Sequence, residues 1–197
     1  MVEFLKIIPG EYFSRFSKKY NVHYLTFYRF DNEYDTQGKK YCLNEKIKKN
    51  LFLKVFYLFK RIIFIRKITS KFRPNIVISF GPYSNLLVSI SSLKRDYKVV
   101  LSVRSNINIR HRNIRHLSRF LYNKMDAIHV ITKKMANDLK SLGFKNIVHI
   151  YNGHNLKLYR RMSEEEMPIH ISDEKFLYLN IGRLNYAKGQ WHLLKAF

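Results

Sequence analysis

Phe176-Leu177-Tyr178-Leu179-Asn180-Ile181-Gly182-Arg183-Leu184-Asn185-Tyr186-Ala187-Lys188-Gly189 is the stretch that decides the fold. Its first six residues are rich in large apolar side chains and predict a strand over 176–181. Gly182 lets the backbone turn sharply there and approach a ligand closely. Leu193, Leu194, Ala196 and Phe197 then follow at helical spacing. Arg183 at the strand's carboxyl end and Lys188 beyond it are able to face one crevice. Two fixed cations suit a diphosphate, whose charge grows as a nucleotide leaves. The plainer alternative is a solvated pair of cations flanking a turn.

Working back toward the N-terminus, 160–174 holds Glu164-Glu165-Glu166 and Pro168 and reads as a linker. Before it, short apolar runs alternate with helical patterns. The runs are Val22–Phe27, Asn75–Phe80, Tyr97–Val103, Ala127–Thr132 and Asn146–Tyr151. Helices are predicted near Val2–Lys19, Leu43–Thr69, Ser84–Lys94, Ile114–Lys124 and Lys133–Leu142. Near-continuous apolar runs suit strands buried on both faces. The alternation predicts an α/β fold: a Rossmann-like, mostly parallel sheet flanked by helices. Thr132 is placed to cap the helix that starts at Lys133, Gly143 to end it, and Pro74 to stop the long helix before its strand. The expected organisation is one domain over 1–160, a linker over 161–174, and the start of a second domain over 175–197.

Charge adds a location. The chain has 197 residues, with 37 Lys and Arg against 14 Asp and Glu, a net charge of +23. From Lys46 to Lys124 there are 19 basic residues and one acid, Asp96, so +18 of the +23 lies there. Hydrophobic residues at 46% exclude a disordered basic tail, and a lone cysteine, Cys42, excludes a disulfide scaffold and a thiolate zinc site. No secretory signal and no uninterrupted apolar span are legible. Apolar residues at Ile47, Leu51, Val55, Leu58, Phe59, Ile62 and Ile65 suit one helix face, with Asn50, Lys54, Tyr57 and Arg61 opposite. Lys54, Lys60, Arg61 and Arg66 are the candidate membrane-facing cations; the alternative is a helix packed on the sheet with solvated charges. Arg104 follows a predicted strand, at the edge where open α/β sheets bind ligands. Gly81, Arg104, Ser105 and Arg110 are therefore the acceptor-side candidates, against the alternative of a solvated loop. The histidines suggest no metal pair, and no catalytic residue is assigned.

Strand, then G-R-L-x-x-x-K-G, then L-L-x-A-F resembles the opening of the C-terminal domain of family 4 glycosyltransferases, which have the two-domain GT-B architecture. Asp126–Thr132 with Leu139 and Gly143, Ile150-Tyr151-Asn152-Gly153, and Arg73-Pro74-Asn75-Ile76-Val77 resemble three further motifs of that family in the same order. The resemblance implies that Gly182, Arg183 and Lys188 bind the donor diphosphate. It also implies a typically retaining enzyme that needs no metal and uses a nucleotide-sugar as co-substrate.

Two departures from the family shape the expectation. The family's opening strand and glycine-rich loop look absent, with Pro9-Gly10 a poor substitute. The family's paired glutamates of the donor site find no match before Phe197. The expected protein is therefore a fragment inactive alone, or one half of a split enzyme completed by a separate donor-domain chain. Its acceptor would be lipid-linked or a polysaccharide in cell-envelope glycan synthesis, and its place the cytoplasmic face of an anionic membrane. The alternatives are a basic nucleic-acid-binding module and a non-catalytic membrane-surface protein. No RNP-like strand, zinc-finger spacing or helix-turn-helix supports nucleic acid as a partner.

Overall fold

The computed structural model describes residues 2–5, 19–27, 39–44, 51–104, 112–153, 155–165, 178–182, 184 and 186–196. For 2–5, 51–54, 112–114 and 187 the description is of the backbone alone. The chain divides into two compact units, Met1–Asn152 and Gly153–Phe197.

Among the described residues, seven short strands form one sheet in the first unit. They are β1 (Val2–Leu5), β2 (Val22–Thr26), β3 (Lys39–Cys42), β4 (Ile76–Phe80), β5 (Lys98–Val103), β6 (Ala127–Val130) and β7 (Ile147–His149). All neighbours are parallel, in the order β3-β2-β1-β4-β5-β6-β7. The order reverses at β1 and β4: the chain builds outward to one side from β1 and to the other from β4. Such a reversal opens a crevice beyond the carboxyl ends of the two strands, the usual ligand position in open α/β sheets. The expected α/β, Rossmann-like class is what the chain forms.

Two strands differ from expectation. The sequence predicts a helix near Val2–Lys19 and no first strand. Instead Val2–Leu5 lies at the sheet's centre, with Val2 paired to both Val22 and Ile76. Four residues interrupted by Glu3 are too few to display a period. The segment after it, with Pro9-Gly10, lies outside the described residues. The second is β3, which no pattern signalled. It is an edge strand whose Lys39 and Lys40 are exposed, so its sequence reads as polar.

Among the described residues, four helices pack on this sheet: α1 (Leu51–Phe72), α2 (Pro82–Ser91), α3 (Arg112–Tyr122) and α4 (Lys133–Ser141). Their ends follow from local chemistry. Arg73 adopts φ +45 after the last turn of α1, and Pro74 cannot continue a helix. The Thr132 side chain accepts a hydrogen bond from the Met135 N–H at 3.1 Å, capping α4. Gly143 takes φ +82, a conformation that disfavours a side chain. There its N–H reaches the Lys140 carbonyl at 2.9 Å, and the Phe144 N–H reaches Leu139 at 3.0 Å. These bonds satisfy the last carbonyls of α4 and fold Phe144 back beside Leu139, both buried. The core lies between β4–β6 and the helices: Val77, Val99, Leu101, Ile128 and Val130 with Leu87 and Val88 of α2, all at most 1% exposed. Each such side chain contributes about 2 kcal/mol by leaving water.

α1 is rotated from its expected phase. Its inner face carries Arg61, Ile62, Ile65, Ile68 and Thr69, while Val55 and Phe59, expected inside, are exposed. Arg61, expected to face a membrane, is buried. Its Nη1 donates to the Tyr83 hydroxyl at 2.6 Å, and its guanidinium lies 5.1 Å from the Phe27 ring centre and 5.2 Å from that of Tyr83. A hydrogen bond and two aromatic faces offset the cost of taking this cation out of water.

The second unit holds α5 (Leu156–Ser163), a 3-10 turn (Tyr186–Lys188) and α6 (Gln190–Ala196). The Asn155 side chain caps α5 by accepting from the Leu158 N–H at 3.2 Å. So 161–163, expected as linker, finish a helix, and the division between units falls after Asn152 rather than near 160. Residues 178–181, expected in a strand, have no regular structure, and 176 and 177 lie outside the described residues. Neither α5 nor α6 buries a residue.

Candidate functional site

The turn from β4 into α2 meets the crevice at the sheet's reversal. Gly81 there has φ +90, a left-handed value that favours glycine. Its N–H donates to the Ser102 carbonyl at 3.4 Å, and its carbonyl accepts from the Asn85 N–H at 2.9 Å. The Asn85 side chain, fully buried, donates Nδ2 to the same Ser102 carbonyl at 3.1 Å. Its Oδ1 has no partner. Tyr122 Oη donates to the Pro82 carbonyl at 3.3 Å, and burial pushes that phenol's pKa well up, keeping it a donor. With Arg61 gripping Tyr83, the turn is held from the sheet and from two helices at once. A turn fixed this way presents one backbone geometry to a ligand.

Beside it, Arg104 follows β5 and is exposed. Its Nη2 donates to Asn152 Oδ1 at 2.9 Å, from the segment after β7. The amide orients the guanidinium without neutralising it, which leaves its charge for an anion. Below them, His129 joins three strand ends. Its Nε2 lies 3.1 Å from the Ile150 carbonyl, which only accepts, so Nε2 carries the proton. Nδ1, 2.9 Å from Ser102 Oγ, is then the acceptor of the serine's hydrogen. Asn85, Ser102, His129 and Asn152 were not singled out as site residues in the sequence. Only Asn152 carried a signal, as part of an Asn-Gly turn.

The second unit brings Gly182 and Lys188 together. A Cβ built on Gly182 would lie 3.6 Å from Cγ and Cδ of Lys188 and 3.3 Å from Nε2 of Gln190. The Lys188 stem therefore packs beside Gly182 at ordinary contact distance, and only the end of Gln190 comes closer. Gly189, at φ +70, then opens α6, with the His192 and Leu193 N–H groups reaching its carbonyl. Arg183 lies outside the described residues, as do Ser105 and Arg110. Lys60 and Arg66 are exposed, Arg66 donating to the Ser91 carbonyl at 3.3 Å. The side chain of Lys54 lies outside the description. Among the described residues, no three of His, Cys, Asp and Glu gather as metal ligands would.

Comparison with known proteins gives this geometry relatives. A model described as Glycosyltransferase Family 4 matches residues 14–158. An uncharacterised glycosyltransferase of Methanocaldococcus jannaschii is 28% identical over 201 residues, covering 92% of this chain and 50% of the relative. The chain therefore spans about half the length of that relative. Among solved structures, the UDP-N-acetylglucosamine 2-epimerase of Rickettsia bellii superposes with a TM-score of 0.58 at 13% identity, covering 83% of this chain and 47% of its own. The Anabaena HepE protein, in complex with UDP and glucose, gives 0.54 at 12% identity, over 80% and 46%. At such identities these structures speak to the fold alone.

Proposed function

We propose that this chain, which belongs to glycosyltransferase family 4, carries the acceptor side of an enzyme that moves a sugar from a nucleotide-sugar. The acceptor is lipid-linked or a polysaccharide in cell-envelope glycan synthesis, met at the cytoplasmic face of a membrane. The observation that carries this reading is Arg104: an exposed cation, oriented by a neutral amide at the carboxyl edge of a parallel sheet. That is where an acceptor diphosphate would find a fixed positive charge beside the rigid Gly81 turn. The basic block around it favours anionic substrates by raising their local concentration.

On the donor side, transfer breaks the bond between the sugar's anomeric carbon and the diphosphate oxygen. Negative charge then grows on the departing nucleoside diphosphate. Arg183 and Lys188, with Gly182 allowing close approach, are the groups this chain offers to that charge. UDP is the first nucleotide to try, because HepE was solved with UDP and glucose and the epimerase is named for a UDP-sugar.

Calorimetry with UDP tests the donor claim. Binding that Arg183→Ala and Lys188→Ala each weaken about tenfold supports it. No heat at millimolar nucleotide with any of UDP, GDP and ADP removes it. A soluble prenyl diphosphate tests the acceptor claim, with Arg104→Ala the variant that should lose it.

A further inference from the structure

We propose that the outward face of α1 docks flat on an anionic lipid bilayer, with Phe56, Phe59 and Ile63 entering the acyl boundary. This names the surface through which the enzyme proposed above would meet its membrane and rests on that reading for its location only. Phe56, Phe59 and Ile63 are 64, 59 and 64% exposed, and their spacing aligns them on one side of the helix. Three large apolar side chains left in water along one line mark an interaction surface. Lys60 and Lys67, each four residues beyond Phe56 and Ile63, are exposed on the same side. The Lys60 ammonium lies 5.4 Å from the Tyr57 ring centre, and lysines of this kind combine an apolar stem with a charge that an anionic surface attracts.

Charge selects the occupant. α1 has six cations and no acid, and no Asp or Glu occurs anywhere from Leu51 to Arg95. A second copy of this chain placed against this face would set lysine against lysine. A nucleic acid would use the lysines and stack on the phenylalanines, but Ile63 offers it nothing. An anionic bilayer meets both features, phosphates for the cations and acyl chains for the apolar line. The opposite face of α1, with Ile62, Ile65 and Ile68, is committed to the core, so the helix lies along the interface. Among the described residues no helix is long and apolar enough to cross a membrane.

The test is co-sedimentation of the full chain with phosphatidylcholine vesicles, with and without about one third phosphatidylglycerol. Binding is expected only with the anionic lipid. It should fall about tenfold or more both in Phe56→Ser/Phe59→Ser/Ile63→Ser and in Lys60→Glu/Lys67→Glu. These side chains are exposed, so melting should be unchanged. Should a variant melt early, an environment-sensitive dye at Phe59→Cys in a Cys42→Ser background reads the same face, and a blue shift on vesicles is expected. Undiminished binding by the apolar variant, equal binding to neutral vesicles, no dye shift, or tighter binding to a single-stranded oligonucleotide than to vesicles overturns the proposal. Nucleotide calorimetry on the unaltered chain separates the two claims: no binding of UDP, GDP or ADP by a chain that still binds anionic vesicles sinks the transferase reading alone.

Discussion

Two arginines stand beyond opposite ends of β5 and do opposite things. Arg95, near the amino end, donates to the carbonyls of Ser92, Tyr97 and Lys124 and pairs with Asp126 Oδ2 at 2.6 Å. Its charge is matched and its donors are used. Arg104, at the carboxyl end, makes its one described hydrogen bond to a neutral amide and faces solvent. The same side chain is a rivet at one edge and an open hand at the other, and the difference lies in the partner. Where a carboxylate answers, the cation builds the fold; where an amide answers, the cation stays available.

The comparison breaks most readily at Arg95. Arg95→Ala removes hydrogen bonds to three carbonyls and the ion pair with Asp126 and should cost about 2 kcal/mol of stability, read by urea or thermal unfolding. A loss within experimental error would erase the distinction between the two edges. Arg104→Ala should instead leave stability within about 0.5 kcal/mol of wild type and weaken binding of a soluble prenyl diphosphate about tenfold. Asn152→Ala, which frees Arg104 without removing it, should weaken the same binding about threefold and again spare stability.

Titration sharpens the contrast, because two groups with shifted pKa, His23 and Asp126, lie toward the amino side of the sheet. His23, the second residue of β2, is 2% exposed, and neither ring nitrogen has a hydrogen-bond partner. It stacks on Tyr41 and packs against Phe72. Burial first, and then the nearby Lys39 charge, hold its pKa below the ordinary value. The folded state therefore binds a proton less readily than the unfolded chain. Stability is whole above about pH 6.5 and declines as pH falls below it. His23→Phe should flatten that decline in unfolding curves taken between about pH 7 and 5. The smallest effect belongs to Asp126. Burial raises its pKa, but the Arg95 hydrogen bond, the Val99 N–H at 2.7 Å and the Arg95 charge outweigh it and hold the carboxyl below its usual value. Its contribution is present above about pH 4 and lost as pH falls through the depressed pKa. At 41% exposure water screens much of it, so Asp126→Asn should shift acid unfolding only slightly.

Much of this architecture was legible in the residues themselves. Val99, Leu101, Ile128 and Val130 lie in runs apolar enough to announce strands buried on both faces. Thr132, Gly143 and Pro74 marked the helix ends they make. The misses share a cause, which is that tertiary contact decided what local pattern could not. β1 is four residues long and draws its place from β2 and β4 on either side. α1 has more apolar residues than one face can hold, so its period pointed to a face rotated from the one it buries; the Tyr83 hydroxyl and the Phe27 ring meet Arg61 on that buried face. In the candidate site, Arg104 was visible as a cation after a strand. Asn152, 48 positions away in sequence, became its partner only through the closure of the sheet.

The short third strand has a consequence for how this molecule behaves in company. A sheet that ends in an open strand offers its last row of amides to any other chain, and such edges seed aggregates. Among the described residues, β3 ends this sheet with four residues, two of them exposed lysines. An incoming strand would have to lay its backbone beside two positive charges on a ledge too short to hold it. Replacing Lys39, at the tip of that ledge, would remove a guard against self-association.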